Sequence, residues 1–198
     1  MKKLRSHSLL VGGLLIGEPL AVDLANTLVV HEDADTVDFL VTPGGLSDWL
    51  ELESERLEGW TPVTESDLSE FRALRAAVRE MFEALLSGSA PPEGGVREIN
   101  TASARGPTYP ELDDSGAEPR VRTRSAAYAS SASSLAAIAR SAVDLAGGPA
   151  RKRLRVCEAP GCPRLFVATN PRRRWCSESC GNRARVARHY ERHRASRK

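Results

Sequence analysis

The chain has 198 residues, of which 41% are hydrophobic, so it is long enough and apolar enough to bury a core. Its formal net charge of +2 conceals an uneven distribution, because residues 151–198 hold 15 of the 28 Lys and Arg residues but only 3 of the 26 Asp and Glu residues. An acidic body with a basic end is typical of polyanion-binding proteins, and the absence of any apolar run of about 18 residues argues against a membrane-spanning helix.

The amino-terminal segment has basic residues before an apolar run, in the manner of a signal peptide. The run, residues 9–16, is short, is broken by glycines and ends at Glu18-Pro19, so we expect a reducing, cytoplasmic location instead of secretion. Residues 11–17 predict a short strand. Residues 20–28 are compatible with a helix or a strand, and a leucine at every fourth position favours the helix.

The centre of the chain predicts several helices. Residues 46–57 resemble a short amphipathic helix, and a further short helix is predicted within residues 96–106. Between them, Thr64 and Asp67 resemble a capping arrangement at the start of the best-defined helix. The apolar positions that we expect on the buried face of this helix are Leu68, Phe71, Leu74, Val78, Met81, Phe82 and Leu85.

An exposed hairpin and a final helix complete the predicted body. Residues 120–124 alternate with a period of two and are predicted to pair with residues 108–112 across an acidic turn. The apolar spacing over residues 135–145 predicts a helix that ends at residues 147–149, where two glycines precede a proline. We place the domain boundary there, so that the body comprises residues 1–150.

The second domain, residues 151–198, contains all four cysteines of the chain. They form a C-x4-C pair, Cys157 and Cys162, and a C-x3-C pair, Cys176 and Cys180. One pair on a tight turn and one at the start of a helix suit the tetrahedral ligation of zinc, and four cysteine ligands leave no open position for catalysis. We therefore predict one structural Zn²⁺ ion, with two disulfides or an iron–sulfur cluster as the alternatives.

Arginines surround the cysteines and are predicted to contact nucleic acid. In the helix after Cys180 we expect a narrow apolar stripe, Val186, Ala187 and Tyr190, to pack on the zinc knuckle, while the arginines project outward with only Glu191 opposing them. Phosphate binding accounts for charge of one sign. The candidate nucleic-acid-binding residues are Arg172, Arg173, Arg174, Asn182, Arg183, Arg185, Arg188 and Arg192.

Four other side chains of this domain have two interpretations each. Phe166 and Trp175 are predicted to form the core of the finger, in preference to base-stacking surfaces. His189 and His193 have the spacing of metal ligands on one helical face. Because four cysteines and many arginines are already present, we interpret these histidines as surface or phosphate-contacting residues.

Several short motifs follow one another in a recognisable order. They are C-x4-C, Leu165-Phe166, Arg-Trp-Cys-Ser at residues 174–177 and Cys-Gly-Asn-Arg at residues 180–183. This order resembles the CGNR zinc finger. Upstream, Gly12-Gly13, residues 20–27 and Trp49-Leu50 resemble, more weakly, the ABATE domain that usually precedes this finger.

The resemblance implies a stress-induced bacterial transcription regulator. It carries over the four cysteines as zinc ligands and residues 181–183 as the signature that opens the helix. Residues 168–172 read Ala-Thr-Asn-Pro-Arg and depart from the Asp-Thr/Ser-Ser-Arg stretch of many members, so we expect the contacts of this loop to differ. Asn182 is interpreted as a cap for backbone groups around the zinc, in preference to a residue that contacts bases.

These observations predict an α+β protein, with a predominantly helical body and a treble-clef-like zinc finger of four cysteines that binds DNA as a transcription regulator. A homodimer and a small-molecule effector of the body are further hypotheses. The alternatives are an RNA- or ribosome-associated protein and a protein-interaction module. An enzyme is not expected, because the polar residues Asp23, Asn26, His31, Glu32 and Asp33 include no nucleophile-base pair.

Overall fold

The fold was analysed in a computed structural model that describes residues 9–11, 13–30, 36–57, 62–106, 108–113, 118–125 and 130–195. Its helices are α1 (Leu20–Ala25), α2 (Pro43–Leu52), α3 (Glu65–Ser87), α4 (Glu93–Ala104), α5 (Ser131–Gly147) and α6 (Glu178–Ala195). Its strands are β1 (Leu9–Val11), β2 (Leu14–Ile16), β3 (Leu28–Val29), β4 (Val37–Asp38), β5 (Thr108–Asp113), β6 (Arg120–Ser125), β7 (Leu154–Val156) and β8 (Leu165–Val167). Consecutive strands pair as four antiparallel hairpins. The predicted α+β class with a helical body is confirmed.

The longest helix, α3, begins at the predicted cap. The Thr64 hydroxyl accepts a hydrogen bond from the Asp67 amide at 3.2 Å, and the Asp67 carboxylate accepts one from the Thr64 amide at 2.8 Å. This reciprocal pair satisfies two amide groups that a helix start leaves unbonded. The apolar face expected from the sequence is buried, except that Leu85 is only partly buried.

Two expectations for the first 60 residues were wrong. The single strand predicted over residues 11–17 is the hairpin β1–β2, in which Gly13 has a φ of +92° that side chains with a Cβ rarely adopt. The bounds of the helix predicted over residues 46–57 were wrong: it spans Pro43–Leu52, and it begins earlier because the Thr42 side chain caps it and a proline suits the first helical turn.

Helices α1, α3, α4 and α5 pack together to form the core of the body. The same apolar core continues into the second domain, because Leu154, Leu165 and Val167 on β7 and β8 are buried in it. A second, separate cluster contains the four cysteines, Phe166 and Ala184. The boundary after residue 150 remains a prediction, and across it the two parts share a core.

The hairpin β5–β6 pairs in the predicted region, with Leu112 opposite Val121. Both of these side chains are exposed, so the hairpin lies outside the core. The acidic turn expected between the strands falls largely on residues 114–117, which lie outside the described residues. Within the described part of the chain, no helix is both long enough and apolar enough to cross a membrane.

Candidate zinc centre and basic surface

The four cysteine sulfurs converge on one point. All lie within 4.8 Å of one another, and the Cys162–Cys176, Cys180–Cys162 and Cys176–Cys180 sulfur pairs are 3.8, 3.7 and 3.6 Å apart. Zn–S bonds of about 2.3 Å at tetrahedral corners place sulfurs about 3.8 Å apart. These separations are far longer than a disulfide bond, and all four thiols are free. The arrangement therefore fits one zinc ion and does not fit two disulfides.

Local structure places each cysteine. Cys157 directly follows β7. Gly161, with a φ of +66°, turns the chain so that Cys162 faces Cys157. Cys180 lies in the first turns of α6, where the Ser177 hydroxyl accepts its amide hydrogen at 3.3 Å. A knuckle in a hairpin loop with a helix supplying the last ligand is a treble-clef-like arrangement, as predicted.

Positive and N–H groups surround the sulfurs. The Cys176 amide donates to the Cys157 sulfur at 3.3 Å, and the guanidinium groups of Arg164 and Arg183 lie 3.8 and 3.4 Å from the sulfurs of Cys162 and Cys180. A zinc ion held by four thiolates has a net negative charge, so these donors favour the loaded site.

The thiols compete for charge when they are this close. Hydrogen bonds from the thiols of Cys157 and Cys176 lower the pKa of Cys162. The same bonding raises the pKa of Cys157 to about 11 and raises the pKa of Cys176 far above its ordinary value. These opposite shifts arise because the thiols share hydrogen bonds at short distance, and a bound divalent cation would replace those bonds with metal–sulfur bonds.

The first turns of α6 pack on the knuckle through small residues. A Cβ added at Gly181 would lie 3.2 Å from the Trp175 ring, and Ala184 is buried in the cysteine cluster. The predicted packing by Val186 and Tyr190 was wrong, because these side chains are 54% and 71% exposed. Because the Cys180 side chain points to the other three sulfurs, the helical period places residue 184 on the same side of α6. Val186 and Tyr190 then face away from the knuckle.

Two polar residues of the body hold the finger hairpin. The Asn26 side chain donates to the Leu165 carbonyl and accepts from the Leu165 amide, both at 2.9 Å. The Glu18 carboxylate accepts from the Val167 amide and from the Arg173 guanidinium, both at 2.8 Å. Asn26 and Glu18 are nearly fully buried, so these bonds satisfy polar groups that have no access to water. Sequence reasoning missed this contact.

Asp23 supports that contact from behind. Its carboxylate accepts from the amides of Gly17 and Glu18 and pairs with Arg56, which also pairs with Glu53. Burial, and next to it the charge of Glu53, raise the pKa of Asp23 well above its ordinary value of 3.8. Asp23 and Asn26 therefore have structural partners, while His31, Glu32 and Asp33 lie outside the described residues.

Arg173 and Arg174 are neighbours in sequence, but the first is mostly buried and the second is exposed. Arg173 donates to the carbonyls of Val167, Trp175 and Cys176, stacks over the Phe166 ring at 4.7 Å and pairs with Glu18. Arg174 is exposed and pairs with the exposed Glu158. The remaining candidate residues are exposed, namely Arg172, Asn182, Arg183, Arg185, Arg188 and Arg192.

The two aromatic residues behave as predicted, since Phe166 is fully buried and Trp175 packs against the cysteine cluster. Asn182 does not have the expected capping role: its side-chain oxygen accepts from Arg185, and Ser177 caps the helix start. The rings of His189 and His193 are adjacent on exposed α6, with their Nε2 atoms 3.1 Å apart. The metal site of the finger is formed without them.

Comparison with known proteins covers nearly the whole described chain. A family model named ABATE, with the description "putative stress-induced transcription regulator", matches residues 18–149. A second model, the CGNR zinc finger, matches residues 153–193. Neither description is that of an enzyme class. No curated protein sequence matches significantly.

Proposed function

The chain belongs to the ABATE family, described as putative stress-induced transcription regulators, and on that premise we propose that it binds DNA through its CGNR zinc finger. In this proposal Cys157, Cys162, Cys176 and Cys180 are the ligands of one structural zinc ion. Helix α6 and Arg172 form the DNA-contacting surface. Arg173 is assigned a structural role, because its guanidinium is engaged by the body.

The exposed face of α6 carries this proposal. From Arg188 to Arg194 every residue is exposed, and arginines and histidines outnumber the single carboxylate of Glu191. A helix about 10–12 Å in diameter fits a major groove about 12 Å wide, and the segment from 186 to 195 would extend roughly 15 Å along it at about 1.5 Å per residue. A cationic helix segment whose side chains are exposed from Arg188 to Arg194 is suited to phosphates.

The zinc ion supplies no chemistry in this scheme and fixes the start of the helix. With Cys180 held at the metal, Gly181 and Ala184 stay against the knuckle, and the free end of α6 keeps one direction. The knuckle in turn is joined to the body through Asn26, Glu18 and Arg173. The body therefore determines where the basic surface lies.

One finger of this size makes few contacts. About five phosphates correspond to a slope near −4.5 in a plot of log affinity against log salt concentration, and to weak binding at physiological salt. Site-specific regulation then needs either base contacts or two fingers on one site, which is why a homodimer is part of the hypothesis. A small-molecule effector of the body stays a prediction without an assigned site.

The test is a titration of the zinc-loaded full chain into labelled duplex DNA and matched RNA at several salt concentrations. We expect preferential duplex DNA binding with the steep salt dependence given above. A variant with Arg188, Arg192 and Arg194 changed to Gln should lose most of the affinity for duplex DNA. The matched control changes three exposed arginines of the body, Arg97, Arg105 and Arg120, to Gln and should bind like the parent.

Two outcomes contradict the proposal. Tighter binding to RNA than to DNA supports the RNA-associated alternative. No binding to either polymer at low salt removes the regulator hypothesis and favours a protein-interaction finger. Zinc content and far-ultraviolet circular dichroism of each variant show whether it is folded.

A further inference from the structure

The finger has a cleft beside the start of α6. It encloses about 480 Å³ between the segment of residues 169–178 and the first turns of the helix. Its lining includes three arginines, two asparagines, a threonine hydroxyl and one carboxylate. The lining residues that matter here are Thr169, Asn170, Arg172, Glu178, Asn182 and Arg185.

Most arginines near this cleft already have partners within the chain. The pairs are Arg173 with Glu18, Arg174 with Glu158, Arg183 with the Cys180 sulfur, and Arg188 with the Ala184 carbonyl. Arg188 also lies 5.8 Å from the centre of the Trp175 ring. Each of these guanidinium groups is paired or oriented by a contact within the chain. They are therefore not the groups that would bind a ligand in the cleft.

Arg172 and Arg185 are different. Both are exposed, both line the cleft, and Arg172 has no side-chain partner among the described residues. Arg185 donates to the side-chain oxygen of Asn182, which uses one of its five N–H donors and holds its direction. The backbone amide of Arg172 donates to the Asn170 side chain at 2.9 Å, so the turn that presents Arg172 is also held.

We propose that this cleft binds one backbone phosphate of nucleic acid, with Arg172 and Arg185 as its cationic ligands and Asn182 as the residue that positions Arg185. This inference rests on the proposed function and adds a defined contact to it. A guanidinium offers paired N–H donors that match phosphate oxygens, so two of them lining one concave site favour a phosphodiester. Glu178 lines the same cleft and opposes the anion.

The proposal also explains why an asparagine stands in the signature. Asn182 is exposed, and within the described residues its side chain contacts Arg185 instead of capping a backbone group. Loss of Asn182 should therefore matter only while Arg185 is present. This dependence is a property that a merely structural asparagine would not have.

The experiment measures the salt dependence of duplex DNA binding by the zinc-loaded full chain. Arg172→Ala and Arg185→Ala should each lower the affinity about tenfold at low salt and reduce the log–log slope by about 0.9, the value for one lost phosphate contact. Glu178→Gln should raise the affinity, because it removes the opposing charge. Arg97→Ala is the control: it removes the same charge at an exposed side chain of the body that pairs with Glu93, outside the proposed surface, and should change the slope little.

Asn182 is tested by a double-mutant cycle. Asn182→Ala should weaken binding in the parent chain and have no further effect in the Arg185→Ala variant, because coupled residues are non-additive. Additive effects would overturn its positioning role. If cleft variants bind with the parent's affinity and slope while the Arg188, Arg192 and Arg194 variant loses binding, the cleft proposal is overturned and the proposed function stands. If the parent chain binds neither polymer, both fail.

Discussion

The two sides of the zinc finger lie in opposite environments. On the hairpin side, Leu154, Leu165 and Val167 belong to the core of the body, and Asn26 and Glu18 bond to the strand backbone. On the helix side, α6 is exposed beyond its first turns. One side is therefore joined to the protein and the other is open to a partner. This difference shows that a finger with its own metal site need not be an independently tethered unit.

The largest expected effect separates the metal from the hairpin contact. Cys176→Ser, or removal of zinc by a chelator, should unfold the knuckle and the start of α6, because a structural zinc site contributes on the order of 10 kcal/mol of folding free energy. The body should keep its helices, since most of the core that α3, α4 and α5 share is formed by residues of the body and only Leu154, Leu165 and Val167 come from the finger. Hydrogen exchange should rise at residues 157–184 and stay low in α3. Equal loss of protection in α3 would mean that the two parts fold as one.

The second effect tests the joined side. Glu18→Ala removes a nearly fully buried carboxylate that bonds the Val167 amide and the Arg173 guanidinium, and removing one partner of such a pair costs on the order of 3 kcal/mol. Denaturant unfolding of the zinc-loaded chain measures this loss. Glu158→Ala removes the exposed partner of Arg174 and serves as the control, with a free energy of unfolding close to that of the parent. Equal effects of the two variants would contradict the contrast between the sides.

The third effect is a pH dependence on the joined side. Because burial raises the folded-state pKa of Asp23 above 3.8, the folded state holds this proton more tightly than the unfolded state does, and its ionisation makes stability fall as pH rises through that range. Asp23→Asn removes the titration. The stability of the variant relative to the parent should therefore increase from about pH 4 upward, by at most about 1.4 kcal/mol per pH unit. Comparing the two chains at matched zinc loading cancels the titration of the cysteines. A difference that does not vary with pH would show that folding leaves the pKa of Asp23 unchanged.

The smallest effect tests the start of the open side. Gly181→Ala places a Cβ 3.2 Å from the Trp175 ring, so the indole must shift by a few tenths of an ångström. The cost of overpacking, about 1–3 kcal/mol, is set against a gain in helix propensity of about 1 kcal/mol, and we expect a net loss of about 1 kcal/mol. Zinc titration and thermal unfolding of the full chain measure the change. Ala187→Ser, further along the helix and outside the cysteine cluster, is the control. A Gly181 variant as stable as the parent would mean that the indole adapts without cost.

Local signals predicted much of the fold. The α3 capping box, the β5–β6 pairing and the α5 helix depend on residues that are close in sequence, and such interactions form wherever the segment is placed. The cysteine spacing predicted one metal centre for the same reason, because one pair lies on a tight turn and the other at the start of a helix. For the candidate site, this means that the four-cysteine metal centre could be predicted from the sequence.

The contacts of α6 show where local signals stopped. A helical period alone does not say which face meets the knuckle, and the expectation chose the larger apolar residues, Val186 and Tyr190. The close approach of Trp175 and the sulfurs instead requires small residues, and Gly181 and Ala184 are the positions that provide them. Their spacing of one and four residues from Cys180 was the available signal.

By itself, the sequence determined the class of fold, the four-cysteine centre and the basic helix that follows it, because ligand spacing and charge are local properties. Only the tertiary structure decided the use of Glu18 and Asn26, whose partners lie 139 to 155 residues away and which resemble ordinary polar surface residues in the sequence. The tertiary structure also distinguished Arg173, which pairs with Glu18, from Arg172, which is exposed. A side chain's charge is written in the sequence, but whether that charge is paired inside the protein or left for a ligand depends on what the folded chain places beside it.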